Sequence, residues 1–365
     1  MIKLKTQRLY FIDIVRAFAI LMMLQGHFID TLLAPIYKNP DSTYFSVWSY
    51  FRGITAPTFF TISGLIFTYL LLKAKEKGNE NLRMRKGIVR GFFLIFIGYL
   101  LRIPFLSWFS GVFSTYFLVI DVLQCIGLSL ILIVASYYIC LKKNSLFSII
   151  TLLVGFLIFL CEPLYRNINL ENLPIFFNNY ISKTNGSVFT IIPWFGYVSF
   201  GAFLATIFHR NLNKSYFKKI TVLSFLVISI LLIFYSSYIL CVIYKITDIK
   251  LFLDAASYNY LFTRLGNVFL YFSIFYGFER FLKFPLILKI GQKTLSIYVI
   301  HFIIIYGSFT GLGLKHIIGK TLHPLQAVFG ALIFICIVCF ISFYYAKTNT
   351  FFYSKIRDLF GKFKK

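Results

Sequence analysis

The feature of this sequence that most suggests chemistry is a hydrophobic segment, residues 9–33, that contains four ionisable side chains. They are Asp13, Arg16, His27 and Asp30. Each ionisable group inside a bilayer costs roughly 2.5 kcal/mol or more, so such groups are rare there and face a bundle interior or a wet cavity. At about 100° per residue, all four fall within an arc of about 100° on one helix face. The pattern predicts a membrane helix whose polar stripe lines a site.

Arg16 and His27 suggest two chemical roles at two depths of the membrane. A helix places them about 16 Å apart along its axis. Arginine is a permanent cation suited to phosphate or carboxylate, and histidine is the side chain best able to accept a proton near neutral pH. Asp30 lies one turn beyond His27 and could fix the tautomer of its ring. The alternative is structural: Asp13 and Arg16 form an ion pair, and His27 is solvated at the outer interface.

Polar residues in later apolar segments could complete the same site. Arg52 could contact substrate, or it could only reach lipid headgroups at the outer face. Gln124 follows an acidic residue and precedes a close-packing glycine, and Asn267 lies beside a further arginine. Tyr298 and His301 bring hydrogen-bonding groups to mid-membrane depth. His301 is thus a second candidate base, although a buried histidine is often only a packing residue.

The composition indicates a membrane protein. The chain is 59% hydrophobic and 13% charged, with a mean hydropathy of +0.80, whereas a soluble domain has about 45–50% apolar and about 25% charged residues. The sequence therefore predicts an all-α, polytopic integral membrane protein, with residues 1–365 forming a single transmembrane domain. The six cysteines show no metal-like pairing, and we predict no metal.

Ten hydrophobic segments are long enough to cross a hydrocarbon core, which needs about 20 helical residues. The predicted spans are 9–33, 48–72, 88–106, 117–140, 145–162, 188–208, 220–243, 259–279, 294–311 and 325–346. Of the 37 Lys and Arg residues, 26 then lie on one side of the membrane and eight on the other. By the positive-inside rule, both termini and the basic loops are cytoplasmic. The net charge of +25 follows this asymmetry, so we predict no nucleic-acid partner.

Five segments resemble, in order, the transmembrane acyltransferases. Arg16 and His27 match the arginine, ten residues, histidine arrangement of the integral-membrane acyltransferase-3 group. The segments as a set are more similar to a related branch, the heparan-α-glucosaminide N-acetyltransferase-like proteins. The resembling segments are 12–17, 55–64, 121–127, 193–196 and 291–301.

This resemblance implies transfer of an acyl group from cytosolic acetyl-CoA, or another acyl-CoA, to an acceptor outside the cytoplasm. The acceptor is commonly a sugar hydroxyl or amine. His27 matches the histidine of the acyltransferase-3 group. The lysosomal enzyme has its active histidine between the first two spans, nearer the position of Thr43, and residues 28–56 of this chain contain no histidine.

The expected site follows from these residue types. His27 is the preferred base, with Asp30 and His301 as the other catalytic candidates. Arg16 is expected to hold the phosphates of the donor or to act as a structural cation. The remaining residues expected to contact the donor or its oxyanion are Arg52, Gln124, Asn267 and Tyr298.

We expect the protein to be a multi-pass component of a bacterial plasma membrane. Its predicted partners are acyl-CoA, a glycan acceptor outside the cytoplasm and the lipid bilayer, and it could form a homodimer. The main alternative is a secondary transporter whose intramembrane charges bind substrate or relay protons. A non-catalytic membrane scaffold is a third alternative, but it leaves the buried charges unexplained.

Overall fold

The fold consists of helices, as the sequence predicts. The computed structural model describes residues 9–168, 170 and 172–362. Within these residues the regular structure is helical, apart from one isolated bridge between Leu33 and Leu322. The all-α prediction is therefore confirmed.

The first half of the described chain contains long helices joined by short connections and small outer segments. These helices are α1 Tyr10–Leu32, α2 Thr43–Arg52, α3 Thr55–Glu76, α4 Glu80–Leu100, α5 Phe105–Phe109, α6 Val122–Ile139, α7 Asn144–Leu160, α8 Glu162–Tyr165 and α9 Ile175–Ile181. Two short 3-10 turns, Pro35–Tyr37 and Thr115–Leu118, lie between them.

The second half follows the same plan. Its helices are α10 Ile191–Asn211, α11 Phe217–Ile230, α12 Ser236–Thr247, α13 Lys250–Ser257, α14 Tyr260–Gly277, α15 Glu279–Leu282, α16 Pro285–Gln292, α17 Thr294–Tyr306, α18 Leu314–Ile317 and α19 Pro324–Lys362. A single π-helical turn, Leu231–Tyr235, joins α11 to α12 without a break.

Each of the ten predicted spans overlaps helical structure, although 48–72 covers parts of both α2 and α3, and 220–243 covers parts of α11 and α12 with the π-helical turn between them. In the described part of the chain, six helical stretches are long and apolar enough to cross a membrane, and α16 with α17 would add a seventh if this bent pair forms one span. The six are Tyr10–Leu32, Thr43–Glu76, Thr115–Ile139, Ile191–Asn211, Phe217–Thr247 and Pro324–Tyr344. The chain is therefore a polytopic membrane protein. The number of ten spans and the cytoplasmic termini stay predictions, and residues 1–8 lie outside the described part.

Helix α1 lies inside the bundle and packs against α3, α14, α16, α17 and α19. Its apolar face is held by aromatic contacts: the Phe11 ring lies 5.6 Å from Phe208 and 4.6 Å from Tyr276, centroid to centroid. Because this face is occupied, the polar stripe of α1 faces the other neighbours, α16 and α17. We call the Arg16 end of α1 the inner end and the His27 end the outer end, following the orientation that the charges predict.

Glycines allow the closest helix pair, α3 and α10, to approach each other. A Cβ atom at Gly201 would lie 1.9 Å from the carbonyl oxygen of Thr61, and one at Gly64 would lie 2.0 Å from that of Val198. Small residues at such positions let membrane helices pack backbone to backbone. This contact fixes α3 and α10 on one side of α1.

Candidate active site

The inner end of the polar stripe is organised by Arg16. Its Nη2 atom donates a 2.7 Å hydrogen bond to the Thr294 hydroxyl at the start of α17. Its Nη1 atom lies 3.9 Å from an Asp13 carboxylate oxygen. The ion pair of the structural alternative is thus present but long, and the shorter contact joins α1 to α17.

A break between α16 and α17 creates the contact with Arg16. The two helices meet at an angle of 71° around Lys293. Just before the break, Gly291 lies so close to α1 that a Cβ atom would be 2.0 Å from the Asp13 carbonyl oxygen. The glycine therefore lets α16 touch α1, and the bend then directs Thr294 toward Arg16.

The outer end contains two histidines and a tyrosine. The Nδ1 atom of His27 forms a 2.7 Å hydrogen bond with the Tyr306 hydroxyl. The rings of His27 and His301 have centroids 5.2 Å apart, so α17 supplies both neighbours of His27. In the tautomer in which Nδ1 donates its proton to the Tyr306 oxygen, Nε2 is the unprotonated nitrogen of His27 and can act as a base.

His301 is completely buried. Among the described residues, neither of its ring nitrogens has a hydrogen-bond partner of ordinary geometry, although the backbone of Ile297 and Tyr298 lies near the ring. Buried polar groups in proteins are almost always hydrogen-bonded. The backbone of Ile297 and Tyr298 can accept from one ring nitrogen of His301, and the other nitrogen is then the one that could bond a water molecule or a substrate beside His27.

Asp30 does not make the hydrogen bond to His27 that the sequence suggested. Tyr306 holds Nδ1 instead, while an Asp30 oxygen lies 2.9 Å from Nη1 of Arg52 and another lies 3.9 Å from Nζ of Lys38. Asp30 lies at the exposed mouth of the site, and the two cations there hold its carboxylate. Arg52 consequently belongs to the outer end, far along α1 from Arg16.

Gln124 and Tyr298 come together around Asp121, which begins α6. The Asp121 backbone N–H donates to Gln124 Oε1 at 3.2 Å, and the Asp121 side chain accepts from the first turn of α6, which forms a capping box. The hydroxyl of Tyr298 interacts with the Asp121 carboxylate. The Tyr298 ring lies 4.9 Å from His301, centroid to centroid. Gln124 and Tyr298 therefore lie at the same end of the site as His27 and His301.

Asn267 does not join this group. Its Oδ1 atom accepts a 2.8 Å hydrogen bond from the Tyr50 hydroxyl, and its Nδ2 atom donates to the Thr263 carbonyl at 2.9 Å. Arg264 donates to the Tyr50 carbonyl at 2.7 Å. The Asn267 carbonyl oxygen thus attaches α2 to α14, and its amide nitrogen bonds within α14, so both ends of the amide have structural partners.

Sequence reasoning missed several residues of the site. Tyr306 follows His301 by five positions in the same apolar segment, and that proximity was the available signal. Arg102, which the sequence does not mark as a site residue, lies 2.8 Å from Asp121. Gln25 accepts a 2.8 Å hydrogen bond from the Trp48 indole, a contact between segments that no local pattern indicates.

A helical membrane protein with a histidine pair at one end of a helix and a bonded arginine at the other fits the class of membrane-embedded acetyltransferases. The comparison with protein families supports this class. A family model described as heparan-α-glucosaminide N-acetyltransferase, catalytic, matches residues 8–245. The chain belongs to this family. No curated protein matches the chain at a significant level.

The family match covers only part of the candidate site. It includes Arg16, His27 and Asp121, whereas His301 and Tyr306 lie beyond residue 245. The resemblance to the heparan-α-glucosaminide N-acetyltransferase-like proteins is confirmed, and the family implies an acetyltransferase rather than the transporter alternative. The relation to the acyltransferase-3 group stays a prediction. The two later residues reach the site because α17 packs against α1.

Proposed function

We propose that this protein transfers an acetyl group, or another acyl group, from cytosolic acyl-CoA to a glycan hydroxyl or amine outside the cytoplasm. One observation carries the proposal. Helix α1 holds Arg16 near its inner end and His27 near its outer end, where α17 places His301 and Tyr306 beside His27. Arg16 and His27 are about 16 Å apart along the helix axis. We place the protein in a bacterial plasma membrane, where donor and acceptor would occupy opposite sides.

The inner end suits a donor that bears phosphates. Beyond its contacts with Thr294 and Asp13, Arg16 also lies within electrostatic range of Arg90 on α4. Arg90 lines an open groove together with Arg85 and Lys86. Several cations that face one region attract a polyanion, and arginine binds phosphate with paired hydrogen bonds. In this proposal the donor phosphates lie at this end, and the thioester reaches into the bundle.

The outer end supplies the groups that acyl transfer requires. His27 Nε2 accepts the proton of the acceptor as the acceptor attacks the thioester carbonyl. The developing oxyanion needs hydrogen-bond donors, and the Gln124 amide, whose Nε2 atom lacks a partner among the described residues, is a candidate. The carbon–sulfur bond then breaks, and the CoA thiolate takes the proton from the His27 imidazolium. His301 is in position to bond a reacting group beside His27.

The direct test is to incubate the purified protein with radiolabelled acetyl-CoA and a set of candidate glycans. We expect label to appear on a glycan at a rate proportional to the amount of protein. Uptake of a glycan into proteoliposomes without acyl-CoA, with no labelled product, would instead support the transporter.

Arg16→Gln is expected to raise the KM for acetyl-CoA about ten- to hundredfold and to change kcat less. A charge-assisted hydrogen bond contributes about 1.5–3 kcal/mol, and Arg16 makes such a contact with the donor in this proposal. Arg16→Lys keeps the charge but not the paired geometry, so its KM should be intermediate. Steady-state kinetics at varied acetyl-CoA measures both constants.

The matched control for Arg16 is Lys320→Gln, which removes an exposed cation far along the chain from the inner end. Its KM should equal that of the unaltered protein. If Arg16→Gln lowered kcat while KM stayed constant, Arg16 would have a structural role and would not bind the donor.

Tyr306→Phe is expected to lower kcat about fivefold and to change its pH dependence. The substitution removes the hydroxyl that orients His27 but keeps the ring, and one such hydrogen bond contributes about 1 kcal/mol. The measurement is kcat between pH 5 and pH 9. Tyr44→Phe, at a highly exposed tyrosine on α2, is the control and should not change either property. An unchanged pH profile in Tyr306→Phe would contradict the orienting role.

A further inference from the structure

We propose that the acceptor is a neutral hydroxyl, so that the protein makes esters, because both carboxylates near His27 are already held by cations. This inference rests on the proposed function and chooses between its two acceptor classes. It also separates this chain from the amine acylation that the family description names. The evidence is the charge around the histidine pair.

Asp30 is the more accessible of the two carboxylates. Its side chain is 48% exposed, and its oxygens lie 2.9 Å from Arg52 and 3.9 Å from Lys38. The Lys38 ammonium also donates to the Asp30 backbone carbonyl at 2.5 Å. Arg52 is further held over the Trp48 ring, 5.2 Å from its centroid. Two cations thus already balance the charge of this carboxylate, which weakens its attraction for an entering ammonium group.

Asp121 is even less available. One of its oxygens accepts from Arg102 at 2.8 Å, and the other accepts from the Val122 backbone N–H at 2.8 Å. The hydroxyl of Tyr298 adds a third interaction. The Arg102 and Asp121 side chains are 8% and 14% exposed, so this ion pair is shielded from solvent. These contacts engage both oxygens of the Asp121 carboxylate.

The charges near His27 therefore favour a neutral acceptor. Asp30 and Asp121 are balanced by Arg52 and Arg102, and Lys38 adds a further positive charge. An alkyl amine is an ammonium ion near neutral pH, and like charges a few ångström apart repel. An ammonium ion that reached His27 would meet these three cations, while the charges of Asp30 and Asp121 are already balanced. A hydroxyl needs only a base and carries no charge to be balanced.

Glu162, another carboxylate predicted to lie on the outer side, adds no unpaired charge to this balance. Glu162 is held by Arg166 through contacts of 2.8 Å and 2.5 Å. A hydroxyl, in contrast, already fits against the His27 ring, because the Tyr306 oxygen lies 2.7 Å from Nδ1. In this proposal Nε2, the other nitrogen of the same ring, binds the acceptor hydroxyl in the same way.

The proposed step balances as a simple ester synthesis. His27 removes the proton from the acceptor hydroxyl while the oxygen forms a bond to the thioester carbonyl carbon. The carbon–sulfur bond then breaks, and the thiolate of CoA takes the proton from the imidazolium. The products are an acetyl ester and free CoA thiol, and His27 returns to its neutral form.

A single acceptor can test this inference. Methyl glucosaminide offers an amine and hydroxyls on the same ring, so the purified protein can be given this acceptor with labelled acetyl-CoA at neutral pH. Mild alkali cleaves esters and leaves amides, and mass spectrometry measures both products. We expect ester to exceed amide at least tenfold. An excess of amide would overturn the inference and leave the proposed function intact, whereas the absence of both products with methyl glucosaminide and with methyl glucoside would overturn the proposed function itself.

A variant tests the cause of the preference. Arg52→Gln releases Asp30 from its closest cation, so the amide fraction should rise about fivefold because the freed carboxylate can attract an ammonium group. Lys38→Gln should act in the same direction with a smaller effect, and it serves if Arg52→Gln does not fold. The control is Arg166→Gln, which frees Glu162 instead and should leave the amide fraction unchanged. An unchanged amide fraction in the variants of Arg52 and Lys38 would overturn the electrostatic explanation.

Discussion

His27→Ala is expected to lower kcat for acetyl transfer about 10²- to 10⁴-fold, which is the range for loss of a general base. The expectation follows from the position of the ring: Tyr306 holds Nδ1, His301 lies 5.2 Å away between centroids, and Nε2 is left for the acceptor. The measurement is the initial rate of labelled product formation by purified protein at saturating acetyl-CoA and acceptor.

The His27 experiment needs a control for folding and one for histidine content. Thermal unfolding of His27→Ala in detergent should occur within a few degrees of the unaltered protein, because the ring is only half-buried. His316→Ala removes an exposed histidine on α18 and should retain full activity. If His27→Ala retained a tenth or more of the original kcat, His27 would not be the base, and His301→Ala would become the variant to examine.

Gly291→Ala is expected to destabilise the protein strongly and to abolish activity. The added Cβ atom would lie 2.0 Å from the Asp13 carbonyl oxygen, a distance at which α16 must move away from α1. Overpacking of this kind typically costs about 1–3 kcal/mol, and here the obstacle is backbone rather than a flexible side chain. Movement of α16 would also withdraw Thr294 from Arg16. Thermal unfolding and the transfer rate, measured on one preparation, test both effects.

Gly277→Ala is the matched control for Gly291→Ala, because it also adds a methyl group to a helical glycine. At Gly277 the new Cβ atom would lie 3.7 Å from a Val222 side-chain carbon, an ordinary contact. Alanine is favoured over glycine in helices by about 1 kcal/mol, so this variant should be as stable as the unaltered protein or more so. Equal unfolding temperatures for the two variants would contradict the close packing of α16 on α1.

The membrane class and the polar stripe were predictable because they depend on local patterns. Hydropathy predicted the helices, and the period of about 3.6 residues placed Arg16 and His27 on one face of α1. The helix at residues 10–32 agrees with the predicted span at 9–33 within one residue at each end. The resemblance of short segments added the family, which the match over residues 8–245 confirms.

The partners of each site residue were not predictable, because they come from segments far apart in the chain. Tyr306 is 279 positions from His27, and Thr294 is 278 positions from Arg16. No periodicity links such pairs. Asp30 is an example. Its spacing of one helical turn suggested His27 as its partner, but its carboxylate pairs instead with the charged Arg52, 2.9 Å away. Asn267 was likewise drawn into the predicted site by its polarity alone, although it serves to anchor α2.

The helix break at Lys293 was the decisive feature that the sequence did not reveal. The predicted span at 294–311 begins at the break, yet nothing in its composition shows a bend of 71° relative to α16. This bend, together with the close contact at Gly291, brings Thr294 to Arg16. The same helix, α17, carries His301 and Tyr306 to His27. The assembly of both ends of the site therefore depends on one tertiary contact.

The central claim is that one helix connects a donor on one side of the membrane to an acceptor on the other. The most direct measurement uses proteoliposomes with a membrane-impermeant glycan trapped inside and labelled acetyl-CoA added only outside. We predict labelled glycan inside the vesicles, formed by the molecules whose inner end faces outward, and no labelled glycan with His27→Ala. If label reached the glycan only when donor and acceptor were on the same side of the membrane, the transmembrane path along α1 would be contradicted.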